Sequence, residues 1–287
     1  MLIRVAAAGV GPWDALIREH KSVVAASLPL TLGSDLAGIV EQLGPGVTGV
    51  KPGDQVYGVT NAQFIGAYAE YAIASATMVA PKPASLDFHA AASAPVVAVT
   101  AWQMLFDYAR VQAGQRILIH GAAGNVGAYA VQLARQAGLD IFATAASSDL
   151  EFVRRLGAQT VIDYRAARFE NVVPAVDVVL DMVGGDTRDR SFRVIKPGGI
   201  LVSVVSEPVP ANPPNDIRAI FFLVEVTSNR LQEIAARFDA GTLVPQVGTV
   251  LPLEQARFAH EMLAGAPHSR GKIVLRIAGI EDSAGHR

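Results

Sequence analysis

The residues with most chemistry to offer lie at positions 117–127, Ile117-Leu118-Ile119-His120-Gly121-Ala122-Ala123-Gly124-Asn125-Val126-Gly127. A short apolar, β-branched run, Arg116–His120, delivers the chain into three glycines spaced three apart, and a helical pattern follows over Ala128–Ala137. Such a turn suits an anionic ligand. One glycine permits the tight turn, a second lets backbone approach a pyrophosphate, and a third lets helix and strand pack closely. The free N–H groups of the helix's first turn then hold the anion. Gly124, Asn125, Val126 and Gly127 are therefore the expected pyrophosphate contacts. The competing account is a tight βα turn without a ligand. The strand before, the helix after and the further βαβ units beyond all favour the dinucleotide.

The tip of the following strand selects between dinucleotides, because an Asp or Glu there binds the ribose 2′-OH of NAD. This chain reads Ala143-Thr144-Ala145-Ala146-Ser147-Ser148-Asp149, with no acid at the tip. The hydroxyls of Ser147 and Ser148 can instead donate to a 2′-phosphate, and Tyr164 and Arg165 follow the next strand. The pattern points to NADP (NADPH), with Asp149 as the one contrary sign. Ser147-Ser148 equally suits a helix cap with Glu151 as its capping-box partner, and the two roles are compatible.

These residues need a scaffold. The chain has 287 residues, long enough for two domains, and is 51% hydrophobic and 17% charged, which excludes a disordered chain. Its 24 basic and 26 acidic residues give a formal charge of −2, so neither nucleic acid nor an anionic membrane surface is the expected partner. Cysteine is absent, which removes disulfides, thiol nucleophiles and thiolate metal sites. No secretory leader stands out. The long uncharged stretch Phe88–Phe106 holds His89, Ser93, Pro95, Thr100 and Gln103, and reads as a bent pair of buried helices rather than a membrane span. A cytoplasmic protein is expected.

Up to about residue 95 the chain is rich in Gly and Pro, with strands expected at Leu2–Ala7, Leu36–Leu43, Gln55–Thr60 and Ala67–Ile73. A helix is expected over Val96–Arg110, then alternating strands and helices: Ile141–Ala145, Ser148–Leu156, Thr160–Asp163, Val176–Asp181 and Gly199–Val205. That alternation predicts a parallel sheet covered on both faces. Asn229–Ala240 and Leu253–Ala264 read as helices, Val244–Leu251 and Lys272–Ile277 as strands, and 279–287 as a frayed tail.

The sequence resembles the medium-chain dehydrogenase/reductase superfamily, in its zeta-crystallin-like quinone oxidoreductase group. The matching segments run from Ile3 to Ile277. They include Ala7-Ala8-Gly9-Val10, Gly33-Ser34-Asp35-Leu36-Ala37-Gly38, Gly53-Asp54-Gln55-Val56-Tyr57-Gly58, Thr100-Ala101-Trp102, the glycine turn, Val161-Ile162-Asp163-Tyr164 and Arg270-Gly271-Lys272-Ile273-Val274-Leu275. The resemblance implies an α/β protein with a chaperonin-10-like β-barrel, 1–94 and 243–278, and an inserted Rossmann doubly wound parallel-sheet domain, 95–242. It also implies a strand pair ahead of Leu2 that this sequence lacks: either the start is misassigned or the barrel is incomplete, and an incomplete barrel would leave a strand edge unpaired. An active site in a cleft between the domains and a homodimer joined through Ile220–Val226 complete the implied picture.

The same resemblance assigns further cofactor-side residues. Thr100 would contact the nicotinamide carboxamide; Val183, Val204 and Ser206 would face the cofactor from strand ends; Phe222 and Val224 would line the nicotinamide pocket; Lys272 would reach a phosphate. Thr100 bonded to its own helix, Phe222 in core packing or a dimer strand, and Lys272 on a solvated face are the competing accounts. Two departures stand out. Gly11 replaces the family's usual Asn, and Trp13-Asp14-Ala15-Leu16-Ile17-Arg18 brings no tyrosine. Gly33-Ser34-Asp35 stands where zinc members carry Gly-His-Glu, so no zinc site is expected, and the six histidines read as packing or surface residues. Hydride delivery to a quinone or activated C=C of a small electrophile needs no metal. A catalytic proton donor is not identifiable. An enoyl-thioester reductase and a non-catalytic NADPH-binding sensor are the alternatives.

Overall fold

In a computed structural model, which describes residues 1–22, 27–205, 214–277 and 279, the first part of the chain runs β1 (Leu2–Val10), α1 (Pro12–Arg18), β2 (Asp35–Gln42), β3 (Gln55–Val59), β4 (Tyr71–Ile73), β5 (Val79–Pro81), α2 (Phe88–Ala92) and α3 (Pro95–Trp102). There follow β6 (Arg116–Ile119), α4 (Asn125–Gln136), β7 (Asp140–Ala145), α5 (Leu150–Leu156), β8 (Thr160–Asp163), β9 (Val176–Asp181), α6 (Gly185–Ser191), β10 (Ile195–Ser203) and β11 (Arg218–Phe221). The last elements are α7 (Ser228–Asp239), β12 (Val247–Pro252), α8 (Ala256–Leu263) and β13 (Lys272–Arg276). No helix among the described residues is long and apolar enough to cross a membrane.

The chain divides into two compact units, Met1–Val99 with Val226–Arg287, and Thr100–Glu225. In the first, a seven-stranded sheet runs β12-β13-β1-β2-β3-β5, with β4 paired to β1. Its core joins Ile3, Val5, Leu36, Val56, Ile273 and Leu275, all essentially buried, each such side chain contributing roughly 1.5–3 kcal/mol. The sequence puts the second domain boundary at 242/243, but the units part at Glu225 and Val226, because α7 packs on the sheet. Tyr57 donates its hydroxyl to Leu231 O at 2.6 Å, and Ser228 Oγ donates to Ala76 O and Val79 O at 3.0 and 2.6 Å.

The second unit holds a six-stranded parallel sheet in the order β11-β10-β9-β6-β7-β8. The helix expected over Val96–Arg110 changes pitch: α3 ends at Trp102 and Gln103–Tyr108 form a π-helical turn. Gln103, the first residue of that turn, accepts the Glu225 N–H on its Oε1 at 2.9 Å. Sequence patterning missed α1, α6 and β5, all short, and the edge strand expected over Ile220–Val226 is instead β11, which ends at Phe221. Ser206 and most of the 279–287 tail lie outside the described residues.

Candidate functional site: the glycine turn and its cavity

The turn between β6 and α4 divides its duties among three glycines. Gly121 sits at φ +70, in the left-handed region that glycine tolerates without strain. A Cβ on Gly127 would lie 2.2 Å from Gly121 O and 2.7 Å from Ala122 Cα, so helix and strand approach too closely for any side chain. Gly124 differs: it is exposed, caps α4 with φ −75, and a Cβ there would meet only Gly121 O at 3.2 Å. No side chain caps the twelve-residue helix at Gly124, which leaves the first-turn N–H groups available to an anion.

A cavity of about 570 Å³ opens from this turn, lined by Gly121, Ala123 and Gly124 at one side and by Tyr164, Arg165 and Arg168 at another. Its volume is that of an ordinary cofactor or ligand site. Ala145, Ala146 and Asp149 come from the end of β7, and Val183 from the turn after β9. Two of the arginines are engaged. Arg190 forks onto Glu170 with Nη1 at 2.8 Å from each oxygen and Nε at 2.7 Å from Asp186, and Arg168 lies 3.4 Å from Glu170. Arg165 lies over the Tyr164 ring, 5.5 Å from its centroid.

His120, Thr144 and Thr187, which line the cavity, adjoin a buried polar brace. Asp181 ends β9; its Oδ1 accepts the Val183 and Gly184 N–H groups at 3.0 and 2.8 Å, and its Oδ2 accepts Ser203 Oγ at 2.7 Å. His120, fully buried, bridges Thr144 Oγ1 through Nδ1 and Ser191 Oγ through Nε2, each at 3.0 Å. Ser191 Oγ donates its proton to Thr187 O at 2.7 Å, so it accepts from His120 Nε2–H and the ring is the neutral Nε2–H tautomer. Burial, against the opposing pull of Asp181, lowers its pKa from 6.5 to about 4; Arg190 acts with burial and Glu170 against it.

The sign follows directly. An unfolded chain takes up this proton below pH 6.5 while the folded chain refuses it until about pH 4. Stability is therefore complete above pH 6.5 and is lost as pH falls toward 4, by roughly 3 kcal/mol in all. Denaturant titrations of the native protein and a His120→Gln variant, which keeps a donor but cannot titrate, should show their stability gap shrinking across that window. A gap constant from pH 7 to 4.5 would contradict it.

The structure gathers some of the sequence-predicted residues and disperses others. Gly124, Tyr164 and Val183 line the cavity. Asn125, Val126 and Gly127 form the first turn of α4. Ser147 and Ser148 are exposed just after β7, but Ser147 Oγ donates to Asp163 Oδ2 rather than standing open, and Glu151 faces Arg154 and Arg155 rather than a cap. Thr100 is buried in α3. Val204 follows β10 with its N–H on Asp181 O at 3.2 Å. Phe222 stacks on Tyr108 at 4.2 Å between centroids, and Val224 is half-buried beside it.

Lys272 is a correction. It does not stand on a solvated face: it is 1% exposed within β13, its Nζ 2.9 Å from Asp35 Oδ2 and off the hydrogen-bond axis, and 4.1 Å from the centroid of the Trp13 ring. Asp35 Oδ1 accepts the Val96 N–H at 2.9 Å, and burial pushes its carboxyl up while Lys272 opposes the shift. The departure at Gly11 also has a cause. A Cβ there would lie 2.4 Å from the Trp13 ring, which packs over the glycine and donates Nε1–H to Ser34 Oγ at 3.0 Å. Next to it, Asp14 Oδ2 accepts the Gly11 N–H at 2.8 Å and the Tyr68 hydroxyl at 3.0 Å, and burial raises its pKa to about 7.

Comparison with known proteins agrees with this architecture. Residues 1–84 match the family described as alcohol dehydrogenase GroES-like domain, and residues 156–275 the one described as zinc-binding dehydrogenase. Among the described residues no group of three or more His, Asp or Glu is placed to hold a metal ion. A quinone oxidoreductase of Mus musculus is 32% identical over 96% of this chain and 88% of its own length. The structure of the quinone oxidoreductase from Coxiella burnetii is 34% identical, covers 96% of this chain and 90% of its own, and superposes with a TM-score of 0.87. The spectinabilin polyketide synthase system protein NorB of Streptomyces orinoci is 36% identical over 88% of this chain but only 12% of its own length.

Proposed function

The chain belongs to the medium-chain dehydrogenase/reductase superfamily of oxidoreductases, with quinone oxidoreductases among its relatives, and from that premise we propose that it is an NADPH-dependent reductase of quinones or enones. The observation that carries this reading is the single cavity wall joining the glycine turn to Tyr164, Arg165 and Arg168. The residues present fit a dinucleotide: an exposed glycine at a helix N-terminus for the pyrophosphate, and two basic side chains with an aromatic ring for the 2′-phosphate end. A bound nicotinamide dinucleotide supplies the hydride. Gly124 admits the pyrophosphate to the N–H groups of Asn125, Val126 and Gly127. Arg165 and Arg168 supply the positive charge that favours a 2′-phosphate over a hydroxyl. By the family resemblance, Phe222, which stacks on Tyr108, and Val224 would line the nicotinamide pocket.

A homodimer paired through β11, the outer strand of its sheet, fits the same reading. A second substrate class, an α,β-unsaturated acyl thioester, draws support from the likeness to the structure of the CurK enoyl reductase, 28% identical over 96% of this chain. The test is steady-state oxidation of NADPH with simple quinones, enones and an enoyl thioester. NADPH should bind about ten- to hundredfold more tightly than NADH, the worth of one charge-assisted contact. Turnover should survive exhaustive chelation. Equal affinity for both nucleotides, or zinc lost together with activity, would refute the proposal.

A further inference from the structure

The tip of β7 carries no acid of its own, yet a carboxylate stands beside it. β7 and β8 are parallel neighbours in which Ala145, the last residue of β7, pairs with Asp163, the last residue of β8. The Tyr164 N–H closes this register on Ala145 O at 3.3 Å. Asp163 thus reaches the end of the second strand of the nucleotide fold, the place from which an acid normally reads the ribose 2′-OH. Both its oxygens are occupied: Oδ2 accepts the Ser147 hydroxyl and Oδ1 accepts the Arg165 N–H at 2.9 Å. The Ser147 hydroxyl, and then the Arg165 N–H, hold this carboxyl below the usual range, so it is ionised at neutral pH. The cavity wall begins with its neighbours, Ala145 and Ala146 on one strand and Tyr164 and Arg165 on the other.

We propose that Asp163 is a specificity-determining residue of the dinucleotide site, supplied by the neighbouring strand. It occupies the hydroxyl of Ser147, which would otherwise donate to a 2′-phosphate, and it sets a negative charge beside the same tip. The preference for NADPH conferred by Arg165 and Arg168 is thereby held below what those cations alone would give, and NADH is retained as a weaker ligand. This inference rests on the dinucleotide reading above.

The test is a fluorescence titration of NADPH and NADH, which reads binding without turnover, on the native chain and on Asp163→Asn and Asp163→Glu. Asp163 sits at the surface of a strand end, so both variants should fold. Asp163→Asn removes the charge and loosens the hold on Ser147, because a neutral amide oxygen accepts its hydroxyl more weakly than a carboxylate does. The ratio of NADH to NADPH dissociation constants should rise about tenfold, by a repulsion lost and a Ser147 hydroxyl that a 2′-phosphate can then win from the amide. Asp163→Glu keeps the charge and should hold the ratio within about twofold of native, a factor smaller than one hydrogen bond. A ratio unmoved in Asp163→Asn, or moved equally by the Glu variant, would overturn the inference. A native chain that binds neither nucleotide would overturn the dinucleotide reading itself, which is a different result.

Discussion

Gly124→Val should weaken dinucleotide binding by about a hundredfold or more and leave the fold standing. Gly124 is exposed at the N-terminus of α4 with φ −75 and ψ 171, a conformation that valine adopts freely. The left-handed residue of this turn is Gly121, at φ +70, so the objection to a branched side chain at 124 is its bulk and not backbone strain. The added Cβ meets only Gly121 O at 3.2 Å, a contact relieved by a shift of a few tenths of an ångström. Replacing a glycine cap by valine costs about 1 kcal/mol or less. The ligand fares worse. An isopropyl group at the cap stands between a pyrophosphate and the N–H groups of Asn125, Val126 and Gly127. Losing two charge-assisted hydrogen bonds of roughly 1.5–3 kcal/mol each weakens binding by a hundredfold or more. Circular dichroism melting reports the fold and fluorescence titration the affinity. A folded variant that kept native NADPH affinity would make this turn a structural bend only.

Where hydrophobic period and glycine stops agree, the sequence alone locates the elements closely. Thr160–Asp163 and Val176–Asp181 are read from the sequence to the residue, because each is a short β-branched run closed by turn chemistry and paired in a parallel sheet. α6 escapes notice because Gly-Gly-Asp-Thr-Arg-Asp-Arg has no apolar face, and its start is fixed from outside by Asp181 holding the Val183 and Gly184 N–H groups. α7 reads correctly as a helix but is assigned to the wrong domain, since nothing in its own pattern says which sheet Leu231 and Ser228 will meet. Contacts distant in sequence decided that.

The candidate site divides the same way. The glycine turn is legible because its geometry is local: three glycines, one strand, one helix. The 2′ end is not, because it is built across β7 and β8. Asp163 reaches Ser147 over sixteen positions of chain, and only the pairing of Ala145 with Asp163 brings them together. His120 reads as a packing histidine, and its burial between Thr144 and Ser191 bears that out while showing that it also lines the cavity. Lys272 looked like a surface cation before a strand. No local signal distinguishes that from a lysine whose partner, Asp35, lies on another strand.

Lys272→Met is the substitution that separates those two accounts of the lysine. Methionine fills nearly the same volume and still packs on Trp13, so little cavity forms. The carboxylate of Asp35, fully buried and pushed upward by burial, loses the cation that opposes the shift and keeps only the Val96 N–H. Removing one partner of a buried ion pair costs about 3–5 kcal/mol, because the other charge is left uncompensated or must take up a proton. The variant's unfolding midpoint in denaturant should fall accordingly. The loss should shrink at acid pH, where protonating Asp35 removes the stranded charge. Lys272→Met combined with Asp35→Asn should recover more than half of it, since the neutral amide still accepts from Val96. NADPH affinity of the folded variant should stay within about twofold of native, less than the loss of one hydrogen bond, because the ammonium is committed to Asp35 and shielded by Trp13. A variant of native stability whose NADPH affinity drops tenfold would return Lys272 to the role of a phosphate ligand and make its pairing with Asp35 incidental.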